Sequence, residues 1–452
     1  MNIVITGAGE VGRHLADNLS NRDHNITIIE ANEVLARELD EQLDSRVMCA
    51  DGTDVATLAE AGAADCDLLL ALTSNRNVNL VSASLGGALG ARKTVARVDG
   101  ALQRNEWLFD YRTHFKIDHL FSVERLTAVE LAKHIRNPER LVVEEFARGR
   151  IELLQCTIPA AAPAIGRPLL DLKLPGQVRV ALIQRGGEII VPTASDQLQP
   201  GDIATLFGNP DKLSSALPLF DPQSKPRSET KVVIFSGGEY GAMLAQMLEG
   251  REHFHVRIIE RRKDRCEELV ELLQRTTVIH GDATSVTQLK EEQVGDADFF
   301  VATSHDDEDN VMTCLQARNL GTRYCLTLVH RADYADTISA NEERLGIHAA
   351  VSPRVAAGKE LMRFITSDAY HEVMSLPGGA SVLELTVPLD SGINGRKVAE
   401  IRWPAGSGLV ALLHGQQALV PGGNDVIHAG DTVYALTTEA ARQPFIRLLR
   451  EQ

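Results

Sequence analysis

The chain lacks the features that would carry it across a membrane, onto nucleic acid or into a disulfide-bonded exterior. No apolar run approaches the ~20 residues that span a bilayer, although 44% of its 452 residues are hydrophobic. Basic residues are in the minority. The 46 Lys and Arg stand against 62 Asp and Glu, a net charge of −16. That balance disfavours phosphate backbones and anionic lipid surfaces, which are bound through concentrated Lys and Arg. Cysteines number six (Cys49, Cys66, Cys156, Cys266, Cys314 and Cys325), with no Cys-x-x-Cys spacing. They read as reduced thiols rather than metal ligands or a disulfide framework. The first residues enter a strand with no secretory leader, which predicts a cytoplasmic location. Catalytic signatures are missing too. There is no His-Glu-x-x-His, no Gly-x-Ser-x-Gly and no Walker A motif, and the fourteen histidines do not cluster. The expectation is a chain that is not an enzyme, holds no metal and binds no nucleic acid.

What is there is a repeat. "MNIVITGAGEVGRHLADNL" at Met1–Leu19 returns as "KVVIFSGGEYGAMLAQML" at Lys231–Leu248. Gly9 and Gly12 reappear as Gly238 and Gly241, an offset of 229. Pro159 returns as Pro388, Gly166 as Gly395, and Gly201-Asp202 as Gly430-Asp431 at the same offset. Between them the offset drifts to 231, with Asp51 matching Asp282 and Asn79 matching Asn310. A whole two-domain unit is therefore present twice. That implies two nucleotide-type pockets and pseudo-symmetric assembly.

Residues 1–136 alternate apolar strands with helical patterns. The strands expected are Asn2–Thr6, Asn25–Glu30, Arg46–Ala50, Asp67–Leu72, Thr94–Val98 and His119–Phe121, with a further amphipathic helix at Val123–Ile135. Near-continuous apolar strands alternating with helices mean an α/β fold whose parallel sheet is buried on both faces. Residues 141–222 differ. Short strands around Leu153–Ile158, Arg179–Gln184, Glu188–Val191 and Ile203–Leu206, a short helix after Gly166 and a helix after Pro210 predict a small α+β module. "FDPQSKPRSET" at Phe220–Thr230 reads as a linker. The same pair of domains then recurs over 230–366 and 370–452. Asp202 and Asp431 follow a glycine before a core strand and read as turn residues rather than catalysts.

The first copy carries Gly7-Ala8-Gly9-Glu10-Val11-Gly12 between a strand and a helix. That context is the one a dinucleotide site requires. Gly7 permits the turn, Gly9 lets backbone approach a pyrophosphate, and Gly12 lets helix and strand pack closely. The helix N-terminus offers N–H groups and partial positive charge to phosphates. Glu30 ends the second strand, where it can accept from ribose hydroxyls and would repel a 2′-phosphate, favouring NAD over NADP. Asp51, Thr73, Ser74 and Asn75 follow later strands, and Arg97 in the fifth is a candidate phosphate partner. The alternatives are helix capping for Asp51 and Thr73 and a structural ion pair for Arg97.

The second copy offers Gly237, Gly238, Glu239, Tyr240, Gly241, Glu260, Asp282 and Ser304. It departs at Ser236, which stands at the place of Gly7, and at Leu328, which stands at that of Arg97. Arg261, Arg262 and Lys263 follow its acid. Loss of one charge-assisted bond predicts weaker NADH binding than in the first copy, so a purely structural second pocket stays open.

Together, "IVITGAGEVG", the acid after strand two, "ADGTD" matched by "GDAT", "LLLALTSN", "IGRPLLDLKLP" and "QLQPGDIATLFG" resemble the tandem RCK domain family. Each unit is similar to an RCK N-terminal Rossmann domain followed by an RCK C-terminal domain. The resemblance implies a regulatory subunit of a bacterial Trk potassium-uptake system rather than an enzyme. It implies a homotetrameric ring, peripheral on the inner face of the cell membrane, beneath a potassium-conducting subunit of the TrkH or TrkG type. Its ligands would be NAD or NADH and, more widely in the family, ATP and ADP, held at the glycine-loop, acid and strand-end positions named above. Two other readings stay open: an NAD-dependent oxidoreductase and an RCK regulator of another cation transporter.

Overall fold

The computed structural model describes the chain except for residues 21–23, 44, 105–107, 137–142, 147–150, 176–177, 223–228, 366–369, 377–378, 415–416 and 451–452. The centre of the expected linker and the expected boundaries at 141, 366 and 452 lie outside the described residues. Two compact units form, one from Met1–Arg136 with Ser228–Ile365 and the other from Asn137–Arg227 with Thr366–Gln452.

The first unit holds two six-stranded parallel sheets. β1 (Asn2–Thr6), β2 (Asn25–Glu30), β3 (Arg46–Cys49), β4 (Leu68–Ala71), β5 (Thr94–Arg97) and β6 (His119–Phe121) lie in the order β3-β2-β1-β4-β5-β6. Each matches its expected strand to within one residue at either end. β1 sits where the strand order reverses. Its Ile5 pairs with Ile28 on one side and Leu70 on the other. Such a reversal opens a crevice at the carboxyl ends of the central strands, where open α/β sheets bind ligands. The strands read as apolar throughout because helices cover both faces. β4, for example, is buried at all four positions. Two side-chain layers result, one led by Ile3, Ile5 and Leu15 and the other by Val4, Leu58 and Leu69.

The second copy repeats the order with β12 (Thr230–Phe235), β13 (Phe254–Glu260), β14 (Thr277–His280), β15 (Phe299–Ala302), β16 (Tyr324–Leu328) and β17 (Ala349–Val351). The two copies exchange their last helices. Val123–Arg136, from the first copy, buries Ala128, Leu131 and Ile135 in one core with Val232, Leu244 and Phe299 of the second. Pro353–Ile365, from the second, buries Ala357, Leu361 and Ile365 with Ile3, Leu15 and Val95 of the first. The apolar stripe of each helix is thus used, but on the other copy's sheet. The two Rossmann domains form one body, and their glycine-loop helices are brought near each other.

The second unit holds two antiparallel sheets. β7 (Val143–Phe146), β8 (Ile151–Thr157), β9 (Val178–Arg185), β10 (Glu188–Ile190) and β11 (Ile203–Gly208) run β10-β9-β11-β8-β7. β18 (His371–Ser375), β19 (Ser381–Thr386), β20 (Ser407–His414), β21 (Gln417–Leu419) and β22 (Thr432–Thr437) run β18-β19-β22-β20-β21. The two sheets share a core in which Leu153, Leu182 and Phe207 meet Val382, Val410 and Leu436. β7 was not expected from sequence, and the helical stretch after Gly166 is a 3-10 turn at Leu169–Leu172. Asp202 and Asp431 are turn residues. Each is 2% exposed and accepts the backbone N–H three residues back, from Gln199 and His428, both at 2.8 Å. Cys49 is exposed and the other five cysteines are buried, all as free thiols. Among the described residues no helix is long and apolar enough to cross a membrane.

Candidate functional site

The first glycine loop leaves β1 at the sheet's crevice. Gly7 has φ +90°, in the left-handed region, and its N–H donates to the Ile29 carbonyl at 2.8 Å. A Cβ on Gly12 would lie 2.2 Å from the Gly7 carbonyl oxygen, so only glycine lets helix Glu10–Ser20 pass this close. Gly9 is exposed and a Cβ there would meet nothing within 4 Å. That open space leaves the loop backbone uncovered at this point. Ala8 and Val11 are 1% and 5% exposed, so they face the core and can offer a ligand only backbone. Glu10 is exposed at the start of the helix.

Glu30 holds this loop. Its Oε2 accepts the Ala8 N–H at 2.8 Å and its Oε1 the Asn32 N–H at 2.9 Å. The carboxylate stays half-buried, with lone pairs left for ribose hydroxyls. Asn32 in turn caps helix Glu33–Gln42.

The opposite wall is built by a residue that sequence reasoning used only as a repeat landmark. Asn79 is 1% exposed. Its amide accepts from the Thr73 N–H (2.9 Å) and hydroxyl (2.7 Å), and donates to the Thr73 and Arg97 carbonyls (both 2.9 Å). It fixes the ends of β4 and β5 together. Thr73 is therefore largely committed to the scaffold, Asn75 caps helix Arg76–Leu89, and Ser74 is exposed beside them. Asp51 is exposed and accepts the Thr53 N–H and hydroxyl, both at 2.8 Å, which holds its carboxyl below the usual range. It is not a helix cap. Asp54 caps the helix Val55–Glu60, because the chain turns once more before the helix begins.

Arg97 lies at the end of β5 in an ion pair with Glu124, 3.3 Å away, the two side chains 24% and 12% exposed. Glu124 also takes the Ser122 hydroxyl at 2.6 Å. The structural alternative raised for Arg97 is thus present, contributed by the first turn of the exchanged helix. Tyr240 from the second glycine helix is 9% exposed and packs in the same core as Val123 and Leu328. Burial pushes its phenol far above its ordinary range, with the charges of Glu124 and Glu10 adding to the effect. Tyr240 thus brings the second glycine helix close to the charges of Glu124, Arg97 and Glu10.

The second pocket keeps the framework. Glu260 accepts from Gly237 (2.7 Å) and Arg262 (2.9 Å), and a Cβ on Gly241 would lie 2.1 Å from the Ser236 carbonyl. Asn310 accepts from Ser304 (2.8 Å) and donates to the Ser304 (2.9 Å) and Leu328 (3.0 Å) carbonyls. Asp282 makes the same turn with Thr284. Gly238 is half-buried and Glu239 exposed. Ser236 adopts φ +75° although it is not glycine. Arg265, unremarked in the sequence, donates to the Gly237 carbonyl at 2.8 Å and pairs with Glu239 at 3.2 Å. Where the first copy pairs Arg76 with Asp99 at 2.8 Å, the second has Asp307 and His330 at 3.0 Å, the carboxylate now on the helix. Among the described residues no group of side chains could hold a metal.

The family model of the TrkA-N domain matches residues 3–112 and 232–353, and that of the TrkA-C domain matches 153–221 and 382–450. The chain belongs to the TrkA family. The Halomonas elongata Trk system potassium uptake protein TrkA is 31% identical over 452 aligned residues, covering 98% of this chain and 97% of that protein. The Vibrio alginolyticus protein of the same name is 30% identical, over 98% and 99% of the two chains. Among solved structures the GsuK channel superposes with a TM-score of 0.60 at 19% identity, covering all of this chain and 79% of that one. The GsuK channel bound to NAD gives the same score at 18% identity. These neighbours share the tandem Rossmann architecture of TrkA chains.

Proposed function

We propose that this TrkA-family chain is the nucleotide-binding regulatory subunit of a Trk-type potassium-uptake system. It binds NAD or NADH in the first Rossmann domain, and ATP or ADP as alternative ligands. It acts as a homotetramer, peripheral on the cytoplasmic face of the membrane, on a potassium-conducting subunit of the TrkH or TrkG type. The observation that carries this reading is the first pocket. An open Gly9, an uncrowded helix N-terminus and a half-buried Glu30 converge at the crevice of a sheet, in a chain aligned end to end with Trk potassium-uptake proteins. The pocket supplies binding groups, and among the described residues around it we find no base paired with an oxyanion stabiliser.

The exchanged helices supply a means of signalling. A ligand that draws the Glu10 helix toward its phosphates acts on Pro353–Ile365, which packs against it, and hence on the second copy. Such a ligand shifts the assembly only by binding one arrangement better than another. The test is calorimetric titration of the full chain with NADH, together with copurification and potassium flux of the membrane partner in vesicles. Saturable NADH binding that changes flux is expected. Binding without any effect on flux, or steady oxidation of NADH with a carbonyl substrate, would overturn the proposal.

A further inference from the structure

The ribose ends of the two pockets carry opposite chemistry. In the first, Glu30 is followed by Ala31, Asn32 and Glu33, so the loop is neutral or acidic. In the second, Glu260 is followed by Arg261, Arg262 and Lys263, all exposed. Glu260 is itself 6% exposed, and each of its oxygens already holds a loop N–H. Glu30 makes the same pair of bonds but stays half-buried, so the second acid is the less accessible of the two and the exposed cations beside it face the ligand instead. Arg262 is engaged by Asp264, whereas Arg261 and Lys263 stand outside the ion pairs found among the described residues. The Arg261 carbonyl is fixed 3.1 Å from Nε2 of His280, at the end of the neighbouring strand. This places the basic loop beside the second pocket's ribose position. In a Rossmann site that place reads the 2′ substituent: an accessible acid selects the free diol, and an arginine accommodates a 2′-phosphate.

We propose that the second pocket is built for a nucleotide with a ribose 2′-phosphate, of the NADP(H) class, with Arg261 and Lys263 as its phosphate-binding cations. The first pocket takes the unsubstituted ribose. One chain would then read two pools of nicotinamide nucleotide through sites joined by exchanged helices. The inference rests on the nucleotide-binding reading above and assigns the second site its ligand.

Calorimetry on the full chain tests it, with adenosine 2′,5′-bisphosphate against 5′-AMP and NADPH against NADH. Two charge-assisted contacts predict that the second site prefers the 2′-phosphorylated member of each pair at least about tenfold, resolved from the first site's tight NADH titration. The R261E/K263E variant should erase that preference and leave the tight NADH titration unchanged. R261Q/K263Q, which reverses no charge, should fall between. Equal affinity of the second site for both members of each pair, or a preference that survives R261E/K263E, would overturn the assignment while leaving NADH binding by the first pocket intact. Absence of binding by any of the four compounds would overturn both readings.

Discussion

A Cβ on Gly7 would lie 2.6 Å from the γ-methyl of Thr73 and 2.7 Å from its backbone nitrogen. The second copy has changed both residues, to Ser236 and Ser304, and the methyl is gone. Ser236 still sits at φ +75°, a region that costs a non-glycine residue about 1–2 kcal/mol. Gly7→Ser should therefore destabilise the Rossmann unit by roughly 2 kcal/mol or more, strain and crowding adding. Thr73→Ser in that background should recover only part of the loss, since the backbone contact remains. Ser236→Gly should stabilise by about 0.5–1 kcal/mol, the relieved strain being offset by the greater freedom of glycine in the unfolded chain. Urea unfolding of the four proteins checks the set. A neutral Gly7→Ser would mean the loop adapts freely.

Arg97→Leu places in the first copy the residue that the second has at Leu328. It also strands Glu124, 12% exposed at its side chain. Removing one partner of a buried pair costs about 3–5 kcal/mol. Arg97→Leu with Glu124→Leu should restore most of that stability. If Arg97 also meets the ligand, the double variant should still bind NADH roughly tenfold or more weakly, since a charge-assisted bond contributes about 1.5–3 kcal/mol. Recovery of both stability and affinity in the double variant would make Arg97 purely structural.

The parallel sheets were legible in the sequence because strands buried on both faces are apolar at every position, as in Leu68–Ala71. The glycine loops were legible because sterics admit little else at Gly12 and Gly241. The helix Val123–Arg136 was legible as an amphipathic element, but its destination was not. A stripe of Ala128, Leu131 and Ile135 is equally compatible with either sheet, and only tertiary packing puts it on the other copy. Arg97 was legible as a charge near the site, but its partner Glu124 arrives on that same helix. The capping alternative for Asp51 could not be decided from sequence because Asp51 and Asp54 both precede the helix, and the turn between them makes Asp54 the cap.

Asn79 and Asn310 make the strongest scaffold prediction. Each is at most 1% exposed and joins the ends of two strands through both its oxygen and its amide. Asn79→Ala would leave several buried backbone groups unpaired, at about 1–3 kcal/mol each. A total loss of roughly 3 kcal/mol or more is expected, with weaker NADH binding, as the wall of the pocket loosens. Asn79→Asp keeps the acceptor but turns a carboxylate toward two carbonyls, and should be worse. Denaturant unfolding and titration of both variants would show this. An effect below 1 kcal/mol for Asn79→Ala would mean that water replaces the amide.

The helix exchange should be sensitive to acid. Glu360, on Pro353–Ile365, has His119 of β6 3.1 Å from its Oε1 and Arg363 3.2 Å from its Oε2. Burial pushes its carboxyl up, but His119 and Arg363 outweigh burial and hold it down at about 2, against an ordinary 4.5. Burial likewise opposes ionisation of Glu130 on the other exchanged helix, where Lys133 and Lys359 prevail and lower it. A carboxylate depressed in the folded state contributes stability that is complete above its unfolded value. For Glu360 that contribution should be present above about pH 4.5 and fade as pH drops toward 2. At about 1.4 kcal/mol for each unit, the full effect is of the order of 3 kcal/mol. Glu360→Gln should thus be less stable than the parent chain at pH 7. The gap should narrow steadily from pH 4.5 downward. Urea unfolding at pH 7, 5 and 3.5 measures it, and a gap that stays constant across that range would show that this carboxylate does not tie the exchanged helix to the first sheet.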